Sequence, residues 1–367
     1  MGMTSIAELE TPAVTIHVAV MEDNVRRIQA HLDRHGIAAR PHIKTHKIPA
    51  LGKLQMKAGA AGITCQKLGE VEVFVDAGVA DDVLLTFNIL GRQKTERLMA
   101  QVRRLKRLAV VLDNEAVAKG LSDAAQRHGT TVRFLIECDT GMGRNGVQTP
   151  QAALDLARAA MKLPHMEFEG IMTFPLRAPG ASLTNPKLSA PGSLAFFDEA
   201  LRRFKSAGIP VPVVSGGGTP AIFMVDKFPM LTEHRAGTYI FNDVMTVASG
   251  TAKWENCAMR VRATVVSRPT DERAVVDCGT KVLTSDQYTV TGYGHVMEYP
   301  EAVIPHLSEE HGVIDLSNCK RKPEIGEVIH IVPNHCCVVS NMVDELYGVR
   351  DGTVETTWRV AARGSVR

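Results

Sequence analysis

Apolar runs long enough to cross a membrane are missing from this sequence, since none approaches the roughly 20 residues that a transmembrane helix needs. The first 11 residues are polar and acidic, so we do not expect a signal peptide there. Excess charge is also missing, because 42 Lys and Arg face 40 Asp and Glu and the net charge is +2. Such a balance gives no general attraction to nucleic acid or to a membrane surface. We therefore expect neither among the partners.

Cysteines are few and odd in number, with 7 among 367 residues. Two of them, Cys336 and Cys337, are adjacent, which suits no regular disulfide framework. A reducing compartment is the natural setting for free thiols, so we predict a cytoplasmic protein. The remaining composition, 45% hydrophobic and 22% charged, is ordinary for a soluble globular protein.

Short apolar runs alternate with helical patterns over most of the chain. The strand-like runs are 37–40, 62–65, 83–86, 108–112, 132–137, 168–173, 211–215 and 237–241. The helical patterns include 48–58, 67–77, 92–104, 114–128, 150–161 and 193–207. Eight runs in this alternation predict an α/β fold, a parallel (β/α)8 TIM-like barrel. An open dinucleotide-binding sheet is disfavoured because no G-x-G-x-x-G motif follows the first strand.

The pattern changes near Trp254. The segments 259–267, 273–277, 328–332 and 354–361 are strand-like, with little helical periodicity between them. An earlier strand-like segment, 11–20, precedes a helical pattern at 21–35. We expect residues 1–20 to supply a strand to a C-terminal β-domain at 251–367, with the barrel at 21–250. The stretch 175–191 contains four prolines and is predicted to be a functional loop on the barrel rim.

A dense group of cations follows the first run, with the sequence RPHIKTHK at 40–47. Alone, this pattern is typical of a solvated basic turn. In a barrel, however, active sites lie at the carboxyl ends of the strands. A lysine held among other cations there has a lowered pKa and can act as a nucleophilic amine. Of the two lysines, Lys44 is the candidate, and Lys47 is predicted to lie in the following helix.

Three further motifs follow later strands. The segment 139–146 (DTGMGRNG) presents Arg144, the segment 215–219 (SGGGT) has backbone amides that can wrap a phosphate, and 234–239 (HRAGTY) adds hydroxyls. Each alone also fits an ordinary turn or a flexible loop. A lysine, a guanidinium and a phosphate-binding turn on one rim together indicate pyridoxal phosphate (PLP).

A possible metal pair lies in the β-domain. If the sequence PNHCC at 333–337 is on a strand, the side chains of His335 and Cys337 point the same way and could bind one metal ion. Two protein ligands leave positions open, as catalytic sites require. Imidazole with thiolate favours zinc and leaves manganese, magnesium and cobalt open. The alternative is a buried cysteine beside a strand histidine.

In their order and spacing, these motifs resemble one family along nearly the whole chain. The matching segments are RPHIKTHK, ITCQKLGE, ECDTGMGRNGV, SGGGTP, RAGTYIF, VVDCG, GYGHV, EEHGV and PNHCC. The family is the fold-type III PLP family of D-threonine aldolase, D-serine dehydratase and 3-hydroxy-D-aspartate dehydratase, with an alanine racemase-like N-terminal domain. The resemblance implies that Lys44 carries the cofactor, that Gln66 lies against it and that Arg144 contacts its ring oxygen.

The resemblance also implies the remaining ligands. The phosphate is expected to be held by Ser215, Gly216, Gly217, Gly218, Thr219, Gly237, Thr238 and Tyr239. His335 and Cys337 are expected to bind the divalent metal, and we assign Lys44 and His335 as the catalytic residues. Members of this family are usually homodimers, so a homodimer is expected.

Two departures from the family pattern bear on the reaction. Many members carry a histidine just after the sixth strand, where this chain has Met172-Thr173-Phe174-Pro175. A metal-activated water, His295 or His311 could take over its role. The His-x-Cys pair is frequent in dehydratases, whereas aldolases often show His-x-Asp. The segments 340–345 and 360–364, in contrast, are more similar to the aldolase-like group.

We therefore predict a metal-dependent PLP lyase for small D-β-hydroxy-α-amino acids, similar to D-threonine aldolase and yielding glycine and an aldehyde. The first alternative is a dehydratase of D-serine or 3-hydroxy-D-aspartate with the same cofactors. An amino-acid racemase, which needs two bases and no metal, and a cofactor-carrying binding protein are further alternatives.

Overall fold

A computed structural model describes residues 4–181, 189–190 and 192–367. Residues 182–188 and 191 of the predicted rim loop at 175–191 lie outside this range. No helix in the described residues is long and apolar enough to span a membrane.

The strands, in chain order, are β1 (Thr4–Ser5), β2 (Ala13–His17), β3 (Ala38–Ala39), β4 (Ile63–Cys65), β5 (Asp82–Leu85), β6 (Arg107–Leu112), β7 (Val132–Cys138), β8 (Met166–Thr173), β9 (Gly180–Ala181), β10 (Ser189–Ala190), β11 (Val213–Gly216), β12 (Glu233–His234), β13 (Met259–Thr270), β14 (Arg273–Val276), β15 (His295–Val296), β16 (Val303–Leu307), β17 (Gly312–Asp315), β18 (Val328–Val332), β19 (Glu345–Arg350) and β20 (Thr353–Arg359).

The α-helices are α1 (Val18–Arg34), α2 (Pro49–Lys57), α3 (Leu68–Asp76), α4 (Arg92–Val102), α5 (Glu115–His128), α6 (Pro150–Met161), α7 (Ser193–Ser206), α8 (Val244–Ala248), α9 (Thr280–Leu283) and α10 (Cys336–Met342). Short 3-10 helices occur at Ile6–Glu8, Ile43–Thr45, Thr219–Lys227, Thr238–Ile240 and Trp254–Asn256.

Contacts divide the chain into two compact units, which we call the barrel unit and the β-unit. The barrel unit comprises Ile28–Lys44, Pro49–Gly237 and Ser365–Arg367, and the β-unit comprises Met1–Arg27, Thr45–Ile48 and Thr238–Gly364. The domain boundaries expected from the sequence, at residues 20 and 250, stay predictions.

Eight parallel strands form the barrel unit, in the order β3-β12-β11-β8-β7-β6-β5-β4. A parallel bridge between His42 and Thr64 joins the two ends of this sheet. Leu84, Ala109, Val111, Leu135 and Met172, each at most 1% exposed, form a hydrophobic cluster from neighbouring strands. The predicted TIM-like barrel is thus confirmed, and seven of the eight predicted runs coincide with its strands.

The eighth predicted strand is wrong. The last barrel strand is Glu233–His234, and the expected run at 237–241 contains the 3-10 helix Thr238–Ile240. Tyr239, Ile240 and Phe241 are buried, and a buried barrel strand gives the same apolar run, so the sequence pattern did not distinguish the two. The actual strand was missed because it contains the charged residue Glu233, which a hydropathy pattern treats as exposed. Its side chain is buried in an ion pair with Arg40 at 2.6 Å.

The β-unit contains most of the remaining strands. Its sheet runs β1-β20-β19-β2-β13-β14-β17-β16, and β18 pairs with β13 and β15. Strand β2 lies between β13, to which it is antiparallel, and β19, to which it is parallel. The predicted uptake of the N-terminal strand is therefore confirmed. The helix α10 and the strand β19 were not anticipated.

Candidate active site

Lys44 lies in the 3-10 turn Ile43–Thr45, directly after the first barrel strand. The preceding backbone continues the strand direction, since the amide of His42 donates to the carbonyl of Ala236 at 2.9 Å. Lys44 is half-buried, and the surrounding residues 40–43 and 45–48 are buried. The interpretation of this segment as a solvated basic turn is therefore wrong. The prediction that Lys47 lies in the following helix is also wrong. Lys47 has a non-helical φ of 56° and precedes α2, which begins at Pro49.

Buried charges of the barrel unit are neutralised by ion pairs and hydrogen bonds. Arg40 contacts Glu233 at 2.6 Å and Asp82 at 2.7 Å. The hydroxyl of Ser215 donates to Glu233 at 2.7 Å and accepts from Nε of Arg235 at 2.7 Å. The predicted phosphate ligand Ser215 thus has its hydroxyl engaged inside the barrel unit, and its phosphate role stays a prediction.

Arg235, a residue that the sequence did not single out, is fully enclosed. Its Nη2 donates to the carbonyl of Thr173 at 2.5 Å, and its amide donates to Gly216 at 2.9 Å. Burial lowers the pKa of Arg235 to about 10, although the carboxylates of Glu233 and Glu137 oppose that shift. Arg235 remains a cation at neutral pH and fixes the turn after β11 to the end of β8.

The glycine turn after β11 is packed closely against neighbouring residues. A Cβ at Gly217 would lie 2.7 Å from the carbonyl oxygen of Arg235, and a Cβ at Gly216 would lie 2.7 Å from Leu176. Gly218 has a φ of 119°, which side chains disfavour, and leads into the 3-10 helix Thr219–Lys227. Packing against Arg235 and Leu176 accounts for Gly216 and Gly217, and the phosphate role of the turn stays a prediction. Gly237 belongs to the same unit.

Arg144 lies in a loop that Asp139 organises. The Asp139 carboxylate accepts from the amides of Gly141, Met142 and Gly143 at 2.8–2.9 Å. Burial alone raises the pKa of Asp139, but these amide bonds outweigh it and lower the pKa below its usual value. A carboxylate therefore fixes the loop, and the 45% exposed side chain of Arg144 extends from it.

The guanidinium of Arg144 and the amine of Lys44 share one neighbour, Phe174. Arg144 Cζ is 5.3 Å and Lys44 Nζ is 5.8 Å from the centroid of its ring. The structure thus brings the predicted amine and the predicted guanidinium together around the residue that follows the sixth strand. Phe174 stands near the position where many family members carry a histidine, and its ring offers no hydrogen bond to a hydroxyl.

Glu137 was missed by sequence reasoning. Its carboxylate is 3.6 Å from Nη2 of Arg144 and accepts from Asn145 Nδ2 at 2.6 Å. Asn145 in turn accepts from Nε of Arg144 at 2.8 Å. Burial raises the pKa of Glu137 to about 7, and the cations Arg144 and Arg235 oppose the shift. A buried titratable group therefore braces the guanidinium.

Gln66 precedes α3, whose Glu70 accepts from the amides of Gln66 at 2.7 Å and of Lys67 at 3.2 Å. This capping interaction fixes the backbone at Gln66. Its side chain donates to the carbonyl of Thr86 at 2.8 Å and lies 3.1 Å from Nε2 of His42.

In the β-unit, His335 and Cys337 come together by a route other than the expected strand. His335 is the N-cap of α10 and Cys337 is in its first turn, so strand alternation does not apply. The two side chains nevertheless interact, and Cys337 Sγ lies 3.1 Å from Thr45 Oγ1 and 3.7 Å from Thr238 Oγ1. Thr238 and Tyr239, expected at the phosphate, belong to this unit.

Asp243 holds the histidine of this pair. Its Oδ2 is 3.0 Å from His335 Nδ1 and accepts from the amide of Cys336 at 3.1 Å. Burial alone lowers the pKa of His335, but Cys337 and Asp243 outweigh it and raise the pKa to about 11. The pKa of Cys337 lies well below its usual value, because the Cys336 thiol donates to it and His335 is close.

These donors fit a metal ion. A carboxylate on Nδ1 orients the ring and leaves Nε2 for a metal, and a low-pKa thiol supplies sulfur. Within the part of the chain that the structure describes, no three His, Cys, Asp or Glu side chains are grouped closely enough to hold a metal by themselves. A metal bound at His335 and Cys337 would need ligands from water or substrate.

The histidines considered as substitutes occupy different settings. His295 stacks on Trp254 with ring centroids 3.9 Å apart, and His311 is exposed in the turn before β17. A tyrosine contacts the predicted metal pair, since the rings of Tyr288 and His335 are 5.5 Å apart, edge to face.

Comparison with known proteins identifies the family. A family model of the alanine racemase N-terminal domain matches residues 16–244, and a model of a putative serine dehydratase domain matches 258–349. A D-threonine aldolase from Arthrobacter sp. is 32% identical over 99% of this chain and 95% of that protein. A D-threo-3-hydroxyaspartate dehydratase from Delftia sp. is 29% identical over 97% of this chain and 98% of that protein.

Solved structures agree with the sequence matches. The crystal structure of D-threonine aldolase from Filomicrobium marinum has a TM-score of 0.86 and 29% identity, covering 100% of both chains. The resemblance and fold class predicted from the sequence are confirmed. The chain therefore belongs to the alanine racemase-like family of PLP-dependent lyases, among D-threonine aldolases and hydroxyaspartate dehydratases.

Proposed function

We propose that this protein is a metal-dependent PLP lyase that cleaves small D-β-hydroxy-α-amino acids into glycine and an aldehyde. One observation carries the proposal. The amine of Lys44 and the guanidinium of Arg144 flank Phe174 in a chain that aligns with a D-threonine aldolase over 99% of its length.

The residues at the barrel rim fit the cofactor. Lys44 would hold it covalently, Arg144 would bind its ring oxygen, and the turn 216–219 with Gly237 would hold its phosphate. When bound, PLP supplies an electron sink for the bond that breaks at Cα.

The protein groups then control protons and charge. The amine of Lys44, which lies beside Phe174, is the group that would accept and return a proton at Cα. Glu137 holds Arg144, whose charge attracts an anionic oxygen. The apolar ring of Phe174 excludes water beside both groups.

The metal pair is proposed for the β-oxygen of the substrate. His335, held by Asp243, and Cys337 would bind a divalent ion, with zinc favoured by the nitrogen and sulfur donors and manganese, magnesium or cobalt as alternatives. Such an ion polarises a hydroxyl and lowers its pKa. The metal ion would thus take over the role of the histidine that is missing after the sixth strand, where Phe174 offers no hydrogen bond.

Two further proposals come from the family resemblance and the composition. The protein is a homodimer, as members of this family usually are. It resides in the cytoplasm, in agreement with its 7 free cysteines.

A dehydratase is the second candidate, favoured by the His-x-Cys pair and by the Delftia relative. Holoenzyme incubated with D-threonine and with D-serine separates the two. Acetaldehyde with glycine from D-threonine supports the aldolase. An oxoacid with ammonia from either substrate supports the dehydratase and contradicts the first proposal.

A further inference from the structure

His42 has a nitrogen that the described contacts leave without a partner. Its side chain lies in the barrel wall two residues before Lys44 and is 6% exposed. Nε2 is 3.1 Å from Oε1 of Gln66, whereas Nδ1 is buried and has no hydrogen bond to any described residue. Buried polar atoms are nearly always paired in native proteins. An orphaned nitrogen beside the predicted site therefore indicates a ligand atom.

The contacts of Gln66 determine which nitrogen of His42 carries the proton. Gln66 Nε2 donates to the carbonyl of Thr86 at 2.8 Å, and a carbonyl only accepts. The amide oxygen of Gln66 therefore faces His42 and accepts from Nε2–H. A neutral imidazole carries one N–H, so Nδ1 is a bare acceptor.

The surroundings keep this imidazole neutral. Burial lowers the pKa of His42 far below its usual value, and the cations Lys44, Arg235 and Arg144 lower it further, while only the bond to Gln66 opposes them. Nδ1 of His42 therefore stays unprotonated and can accept a hydrogen bond from an N–H group of a ligand.

We propose that His42 is a ligand-binding residue, whose Nδ1 accepts a hydrogen bond from an N–H of the bound cofactor or of the amine joined to it. This inference rests on the proposed function, because it takes PLP as the ligand. Phosphate and ring oxygen are acceptors, which leaves the ring nitrogen and the amine nitrogen as donors. Gln66 is then a positioning residue, because its amide oxygen accepts from His42 while its amide nitrogen is held by the carbonyl of Thr86.

Two substitutions separate the nitrogens of the ring. In His42→Asn, the amide oxygen replaces Nδ1 and keeps the acceptor. In His42→Gln, the longer side chain reaches the place of Nε2 and keeps only the contact with Gln66. We expect apoprotein of His42→Asn to bind PLP within about threefold of the wild type. His42→Gln should bind about tenfold more weakly, the loss of one hydrogen bond.

Titration with PLP and with its 1-deaza analogue distinguishes the two donors. If the ring nitrogen donates, wild type and His42→Gln bind the analogue equally. If the amine nitrogen donates, His42→Gln weakens both ligands alike. Equal affinity of wild type, His42→Asn and His42→Gln for both ligands overturns the proposal.

A measurement on the wild-type protein tests the proposal even if the variants do not fold. The ¹⁵N signal of His42 Nδ1 should be that of a bare nitrogen in the apoprotein and should shift when PLP is added. An unchanged signal overturns the proposal. Neither readout uses turnover, so a protein that binds PLP through His42 but cleaves no substrate would contradict the proposed function alone.

Discussion

Oδ2 of the fully buried Asp243 lies 3.0 Å from Nδ1 of His335, whose side chain is 23% exposed at the start of α10. The same oxygen accepts from the amide of Cys336, so one carboxylate fixes both the ring and the backbone of the proposed metal pair. Its other oxygen accepts from the amide of Thr246 at 2.9 Å. Asp243 therefore determines which nitrogen of His335 is available for a metal.

Asp243→Asn should weaken metal binding about 10- to 100-fold, because an amide no longer fixes the imidazole through Nδ1–H. Asparagine is also a good N-cap, so α8 should be retained. Metal affinity of the apoprotein, measured by titration against a competing chelator, tests the effect. Asp271→Asn, whose side chain is 94% exposed, is the control. Equal metal affinity of both variants and the wild type would contradict the role of Asp243.

Lys44→Ala should abolish the visible absorbance band of the holoenzyme, because no other described amine shares the ring of Phe174 with Arg144. Lys53→Ala is the matched control, since Lys53 is exposed in the neighbouring helix α2. A band that persists in Lys44→Ala and disappears in Lys53→Ala would sink the assignment of the cofactor lysine.

Gly217→Ala should lower phosphate-dependent binding of PLP by at least about tenfold and destabilise the protein by about 1–3 kcal/mol. The new methyl would lie 2.7 Å from the backbone of Arg235, so one chain segment must move. Gly120→Ala, in α5 with open space around it, should instead stabilise by about 0.5–1 kcal/mol. Chemical unfolding and PLP titration of both variants measure these effects.

Glu137 should make stability depend on pH. Burial raises the pKa of Glu137 in the folded protein to about 7. The protonated form is therefore favoured in the folded state. The contribution of Glu137 to the free energy of unfolding is complete below its ordinary pKa and is lost as the pH rises through 7. Glu137→Gln has no carboxylate to ionise. Its free energy of unfolding, relative to that of the wild type, should therefore rise by up to about 3 kcal/mol between pH 4 and pH 8. Urea unfolding of the apoprotein at both pH values provides the test. Glu167→Gln, with a half-exposed side chain, should show no such gain.

Much of the barrel and the cofactor rim was predictable, because both follow local rules. Alternating apolar runs and helical patterns located seven barrel strands, and the carboxyl ends of those strands located Lys44 and Arg144. The eighth strand, Glu233–His234, escaped because a buried ion pair with Arg40 conceals its burial from any hydropathy pattern.

The supporting residues could not be predicted, because their partners are far away in the chain. Asp243 and His335 are 92 positions apart, and the buried state of Glu137 depends on strands around it. His42 and Gln66 are 24 positions apart, and their bond exists only because the barrel closes between His42 and Thr64. One signal was available for Asp243, an acidic N-cap residue before a short helical run at 244–248.

The most direct measurement is acetaldehyde release from D-threonine by the holoenzyme, before chelation, after chelation and after divalent metal is restored. We predict acetaldehyde and glycine in equal amounts, loss of both on chelation and recovery of both with metal. Formation of 2-oxobutanoate and ammonia, or D–L interconversion that chelation does not affect, would contradict the account.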